Sequence, residues 1–269
     1  MIIHDITRLT VPLDHFRGNL MEKDMRINKY LSECGYCSRR EADRLLEAGR
    51  VSLDGVTATL GSKMIPGQSV YVDGKPVEKK DRPVIIAVNK PKGIVCTTAK
   101  KEKDNIVDFI DYRTRIYPVG RLDKSSEGLI LMTNMGDLVN KIMRAGNYHE
   151  KEYLVSVDKD LTPEFLQRMS EGVPVLDTVT RPCKVEKVGR RKFRIILTQG
   201  LNRQIRRMCE NLGYRVVYLK RIRIMNIRLG DLKSGEYREL SKNEIDEIIR
   251  ETADSSNGPV WKNDEEGKD

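Results

Sequence analysis

The segment Pro76-Val77-Glu78-Lys79-Lys80-Asp81-Arg82-Pro83 constrains this chain most, because two prolines enclose a charged run that an apolar core cannot absorb. It reads as an exposed linker over 78–83, so the 269 residues should fold as two domains, each with its own core. The stretches on either side are patterned differently.

Ahead of the linker, Ile27, Tyr30 and Leu31 recur at helical spacing, and Gly35 ends that helix. Ser38-Arg39-Arg40-Glu41 fits a capping box, in which Ser38 and Glu41 reciprocally satisfy free amides at the start of a second helix. Ala42, Leu45 and Leu46 form the inner face of this helix, and Gly49 closes it. Arg39 and Arg40 fall in its first turn, where exposed amides accept an anion, so a phosphate would complete the corner. Asp54-Gly55 between alternating residues predicts a hairpin, with a second strand pair around 69–74. Residues 1–24 show no period and receive no role; the polar, acidic tail 253–269 is expected to be disordered, and its Trp261 has no explanation.

Beyond the linker, Val84 to Val88 reads as a buried strand, and Asn89-Lys90-Pro91-Lys92-Gly93 as a turn. Leu129 to Met132 is a strand, 137–143 a helix and 152–157 a strand. Thr162-Pro163-Glu164 starts a helix with Phe165, Leu166 and Met169 inward, ending at Gly172. Phe193 to Leu197 returns to strand, a helix runs from Asn202 to about Gly213, a long strand follows over 215–229, and Ser241 caps the last helix. Strand pairs and helices interleave without βαβ alternation, so the expected class is α+β with a mixed, mostly antiparallel sheet flanked by helices.

Lys and Arg outnumber Asp and Glu by 49 to 40, a net charge of +9 concentrated between residues 25 and 252. A basic body draws phosphates, and nucleic acid is the first candidate partner. Five scattered cysteines argue against a disulfide framework and for a reducing compartment, and Cys34 and Cys37 lack the second ligand pair that structural zinc needs. The N-terminus has no long apolar stretch, and no run approaches the ~20 residues of a membrane span. A cytoplasmic protein is the expectation.

One acid stands apart: Asp123, in Gly120-Arg121-Leu122-Asp123-Lys124-Ser125-Ser126-Glu127-Gly128, follows a basic residue in a glycine-bounded turn ahead of an apolar strand. An acid beside an arginine is ordinarily a surface pair of little energetic value, so its surroundings must decide. On the helix from Asn202, Ile205, Met208, Cys209 and Leu212 share one face, Arg203 and Arg207 lie nearly opposite, and Arg206 sits at the margin. A guanidinium there can lay its stem on the core and turn its head into a cleft, as suits a partner for a half-buried carboxylate. Glu127 lies four residues beyond Asp123, but the intervening turn gives the two no common face, so a paired-acid glycosidase site is rejected.

Residues 25–77, through Ser-Arg-Arg-Glu-Ala and Gly-Arg-Val-Ser-Leu-Asp-Gly, resemble the alpha-L RNA-binding module of a small-subunit ribosomal protein. Gly-Arg-Leu-Asp at 120–123, Lys151-Glu152-Tyr153, and Gly-Leu-Asn-Arg-Gln-Ile-Arg-Arg-Met at 200–208 together resemble the pseudouridine synthases of the RsuA family. Arg144-Ala145-Gly146-Asn147 followed by His149-Glu150-Lys151-Glu152-Tyr153 is closest to its RluF-type branch, which modifies large-subunit ribosomal RNA. The resemblance covers about 25–250 and implies a catalytic domain over 84–252. It implies extrusion of a uridine from its stack, cleavage of the N-glycosidic bond and reattachment of the base through carbon, without metal or cofactor. Asp123 would be the catalytic carboxylate, Arg206 its ion-pair partner, and Tyr153 the aromatic platform beside the base. Arg39, Arg40, Arg121, Arg203 and Arg207 would face RNA, and the enzyme would work as a monomer. Two other readings stay open: a noncatalytic assembly factor, and the same chemistry on small-subunit ribosomal or transfer RNA.

Overall fold

A computed structural model describes residues 24–78, 83–99 and 101–255 of the chain. Residues 1–23 of the N-terminal extension, residues 79–82 of the linker and residues 256–269 of the tail, Trp261 included, lie outside the described residues. The chain separates into two compact units between Pro83 and Val84.

The first unit opens with β1 (Met25–Arg26), followed by α1 (Ile27–Glu33) and α2 (Arg39–Glu47). Next come β2 (Val51–Leu53), β3 (Val56–Thr57), β4 (Lys63–Met64), β5 (Val70–Val72) and β6 (Lys75–Val77). The last five strands, without β4, form an antiparallel sheet in the order β3-β2-β5-β6, while β1 pairs with β4. Ile27 and Leu31 of α1 pack on Ala42, Leu45 and Leu46 of α2. The β2–β3 turn has Asp54 and Gly55 at φ 47° and 87°, the left-handed pair that an Asp-Gly hairpin requires. At the start of α2 only half of the expected capping box forms. Ser38 Oγ accepts from the Glu41 amide at 3.1 Å, but the Glu41 carboxylate takes a hydrogen bond from Arg44 at 2.7 Å and so does not reach back.

The second unit is built on a nine-stranded sheet. Its elements begin with β7 (Ile85–Lys90), α3 (Ile106–Ile110), β8 (Tyr117–Val119), β9 (Glu127–Thr133), α4 (Gly136–Met143) and β10 (Lys151–Val157). After α5 (Pro163–Glu171), the short β11 (Pro174–Val175) and β12 (Thr178–Val179) form their own hairpin. The chain continues through β13 (Lys184–Gly189), β14 (Lys192–Leu197), α6 (Gln204–Asn211), β15 (Val216–Ile224), β16 (Ile227–Arg228), β17 (Tyr237–Glu239) and α7 (Lys242–Glu251). The strand order is β13-β14-β10-β15-β9-β7-β17, with β16 on β15 and β8 on β9, and only β15 and β9 run parallel. The unit is therefore α+β with a mixed, mostly antiparallel sheet. The strand expected over 215–229 breaks at Met225, whose φ of 50° turns the chain back into β16, while its amide still donates to the Glu150 carbonyl at 2.9 Å, one residue beyond the Lys151–Ile224 pair.

Alternation along the central strands assigns the two faces. Ile85 and Ala87 of β7, with Leu129 and Leu131 of β9, pack with Leu138 and Ile142 of α4 and Ile248 of α7. Ile86, Val88, Ile130 and Met132 face the other way, onto Ile106 and Ile110 of α3. A third cluster joins Phe193, Ile195 and Leu219 to Phe165 of α5 and Met208 of α6, and Tyr153 packs against both this cluster and the α3 cluster. Tyr153 thus marks where two cores meet on one face of the sheet.

Gly128 makes the parallel β9–β15 contact possible. Its φ is +105°, and a Cβ there would lie 2.2 Å from the Arg221 carbonyl oxygen and 2.7 Å from its amide nitrogen. Gly128→Ala is expected to cost about 2–4 kcal/mol, the range for backbone strain plus a steric clash. At about 2–4 °C per kcal/mol for a chain of this size, thermal melting should fall by roughly 5–15 °C. Gly200→Ala, where an added Cβ meets nothing within 4 Å, should leave it unchanged.

Candidate active site

The loop from Gly120 to Ser126 is held almost entirely through its backbone. Gly120 enters at φ 78°. The Arg121 carbonyl accepts from Arg221 Nη1 at 3.5 Å, the Leu122 amide donates to Cys96 Sγ at 3.3 Å, and the buried Leu122 side chain enters the α3 core. The Lys124 carbonyl accepts from the Gly93 amide at 2.8 Å, and the Ser126 amide closes the turn onto the Asp123 carbonyl at 3.0 Å. Lys90 Nζ donates to the Ser126 and Pro91 carbonyls, both at 2.8 Å. The half-exposed Asp123 carboxylate remains without a hydrogen bond or ion pair among the described residues.

Arg206 reaches this loop from α6. Its guanidinium donates to the Ser125 carbonyl at 3.4 Å, to Ser126 Oγ at 3.3 Å and to the Val216 carbonyl at 3.4 Å, while its buried Nε has no partner. The direct ion pair expected between Arg206 and Asp123 is not formed, because the guanidinium is spent on the neighbouring serines. The two are coupled at longer range: burial, then nearby Arg203, lowers the Arg206 pKa, and the Asp123 charge opposes both.

Tyr153 is tied to the same loop through Arg221. The guanidinium carbon of Arg221 lies 5.9 Å from the Tyr153 ring centre, and Arg221 Nε donates to the Leu129 carbonyl at 2.6 Å. A bulge in β15 explains how Arg221 comes to lie there. Glu152 pairs with Arg223 but Tyr153 pairs with Arg221, so Ile222 is an extra residue with no opposite number on β10. Arg221 and Arg223 would share a face in a regular strand; the bulge sends them to opposite faces. Arg223 meets carboxylates, with Glu152 at 2.7 Å and Glu150 at 2.8 Å. Arg221 meets the aromatic ring and the Asp123 loop.

The remaining arginines expected to face RNA are placed as follows. Arg121 is exposed on the loop, and Arg203 is exposed at the N-cap of α6 with a left-handed φ of 50°. Arg207 is half-buried and donates to the carbonyl and Oδ1 of Asn202. In the first unit Arg39 and Arg40 are exposed at the start of α2, with Arg39 donating to Asn28 Oδ1 at 3.4 Å. Glu127 accepts from Tyr218 at 2.9 Å and lies 3.9 Å from Lys92, pushing the Tyr218 pKa up to about 12 together with burial, the larger cause. It serves β15 and Lys92, not Asp123.

Sequence reasoning missed Lys90 and Arg221 and gave Lys151 no role of its own, yet all three are buried. No local pattern marked them: Lys90 follows Asn89 at the end of β7, Lys151 lies between Glu150 and Glu152, and Arg221 follows Lys220. Burial, and then Arg221, push the Lys151 pKa down to about 8 from 10.5. Below about pH 8 the folded state carries the full penalty of this buried charge. Between about 8 and 10.5 the unfolded chain binds the additional proton, so the contribution of Lys151 to stability improves as pH rises through that window. A 13C titration of the Lys151 Cε should show a midpoint near 8, and a midpoint near 10.5 would show the ammonium to be solvated.

Residues 84–211 match the family described as RNA pseudouridylate synthase, and residues 25–68 match the S4 domain. The chain is 55% identical over 239 residues to the dual-specificity RNA pseudouridine synthase RluF of Escherichia coli (strain K12), spanning 88% of this chain and 82% of that protein. It is 34% identical over 227 residues to ribosomal small subunit pseudouridine synthase A of Yersinia pestis, spanning 82% and 97%. A crystal structure of a pseudouridylate synthase superposes with a TM-score of 0.62 at 27% identity, over 84% of this chain and all of that one. Likeness of this extent, along most of both sequences and in the fold, establishes that the chain belongs to the RNA pseudouridine synthase family and isomerises uridine in RNA.

Proposed function

We propose that Asp123 is the carboxylate that starts the isomerisation, that Tyr153 lies against the extruded uracil, and that Arg206 is the cation that braces the loop carrying Asp123. The observation that carries this reading is the loop itself. Every backbone tie from Arg121 to Ser126 fixes the chain, while the one carboxylate at its centre is left unbonded for a substrate. Such preorganisation is what a reacting group needs, since a carboxylate already bonded to protein would first have to be released. The isomerisation moves no electrons to an external acceptor, so Asp123 can serve either by attacking the sugar carbon or by taking a sugar proton.

The target we infer is large-subunit ribosomal RNA. The support is the RluF-type pattern over 144–155 and the 55% identity to RluF, itself a dual-specificity enzyme by name. The S4 unit, assigned residues 25–77, would grip structured RNA through Arg39 and Arg40, and the catalytic unit, 84–252, would hold flanking phosphates with Arg121, Arg203 and Arg207. Five free thiols suit the cytoplasm, where the enzyme is read as a monomer.

Base-resolution pseudouridine mapping of total RNA from cells with and without the gene tests the target. The proposal expects sites in large-subunit ribosomal RNA to vanish. Loss confined to small-subunit or transfer RNA would move the target, and an unchanged map would favour a role in assembly. For the site, Arg206→Gln should lower kcat by about 10²-fold, the usual cost of one charged donor, while filter binding of RNA stays within a few-fold of wild type.

A further inference from the structure

Tyr153 stands on a strand whose two faces are charged in opposite ways. On the face away from Asp123, cations and carboxylates are matched: Arg223 pairs with Glu150 and Glu152, and Arg194 with Glu152 and Glu186. On the Tyr153 face they are not. Arg221 is 1% exposed and Lys151 4% exposed, and among the described residues neither has a carboxylate within 4 Å. Lys151 Nζ donates to the His149 carbonyl at 3.1 Å, while Nη2 of Arg221 is buried with no partner. Two buried cations without counter-ions are costly to hold. The two arginines on the other side of the same strand each meet carboxylates, whereas Arg221 and Lys151 meet none among the described residues.

The departing base supplies the missing charge. When the C1′–N1 bond breaks, its electron pair stays on the uracil, spread over N1, O2 and O4, while the Asp123 carboxylate either bonds C1′, to leave again when C5 attacks, or takes a sugar proton that it later returns. C5 of that anion then supplies the pair for the new C1′–C5 bond, C5 loses its proton, and N1 regains one. The ring is negative only between these two bond changes. We propose that Arg221 and Lys151 are positioning residues for this interval: a buried cationic floor behind Tyr153 that stabilises the detached uracil anion, with Arg221 also fixing the Asp123 loop through the Arg121 carbonyl. Uridine and pseudouridine are both neutral, so the floor favours the intermediate over either, and its effect falls on turnover and not on binding.

This inference rests on the roles proposed above for Asp123 and Tyr153. Arg221→Gln, Arg221→Lys and Lys151→Gln would be assayed for pseudouridine formation on total RNA from cells lacking the gene, with melting temperature and RNA binding measured in parallel. Each Gln variant is expected to lose on the order of 10- to 100-fold in kcat, with KM within twofold, and Arg221→Lys to recover most of that loss. A kcat within threefold of wild type for Lys151→Gln, or equal losses for Lys and Gln at 221, would overturn the floor. If Arg221→Gln fails to fold, Lys151→Gln decides alone. An active Asp123→Asn enzyme would defeat the underlying site reading; an inactive one beside fully active Gln variants would defeat only this inference.

Discussion

The single extra residue Ile222 in β15 sets up the site. Without it, Arg221 and Arg223 would point the same way from the sheet, and both would meet either the Glu150–Glu152 pair or the Tyr153 ring. The bulge divides them, so one arginine locks β10 to β15 by ion pairs while the other lies between the ring and the Asp123 loop. The loop is further constrained by Gly128, where β9 approaches Arg221 too closely for any side chain. Strand register and loop position are therefore linked through Arg221.

The consequence is a loop fixed through its backbone whose one carboxylate, Asp123, is unbonded among the described residues. Lys90, Arg206 and Arg221 reach it from β7, α6 and β15, and each donates to loop or flanking backbone oxygens. Cations used in this way fix geometry and at the same time give the surroundings of Asp123 a positive potential. In the role proposed for it, Asp123 would thereby be in place before the base arrives.

Much of this was legible in the sequence. Apolar periodicity and caps placed α1, α2, α5, α6 and α7 to within a few residues, and the resemblance of three short motifs pointed to Asp123, Tyr153 and Arg206. Two kinds of feature were not legible. Ile222 lies between Arg221 and Arg223 in a run that alternates normally, and nothing local marks it as unpaired, because a bulge is defined by the partner strand. Arg221 and Lys90 read as ordinary strand or turn residues, since their burial depends on loops more than 30 residues away in sequence, at Ser126 and Arg121. Glu41 shows the reverse case: a local cap was expected in full, and a nearer cation, Arg44, took the carboxylate.

The central claim is that Asp123 is the reacting carboxylate on a scaffold that does not need it for support. Asp123→Asn is nearly isosteric and removes no bond from the loop, so its single-turnover rate of pseudouridine formation, measured with RNA in hand at saturating enzyme, tests that claim most directly. The account predicts a loss of at least about 10⁴-fold, in line with removal of a reacting group, with melting temperature and RNA affinity unchanged. A rate within tenfold of wild type would contradict it.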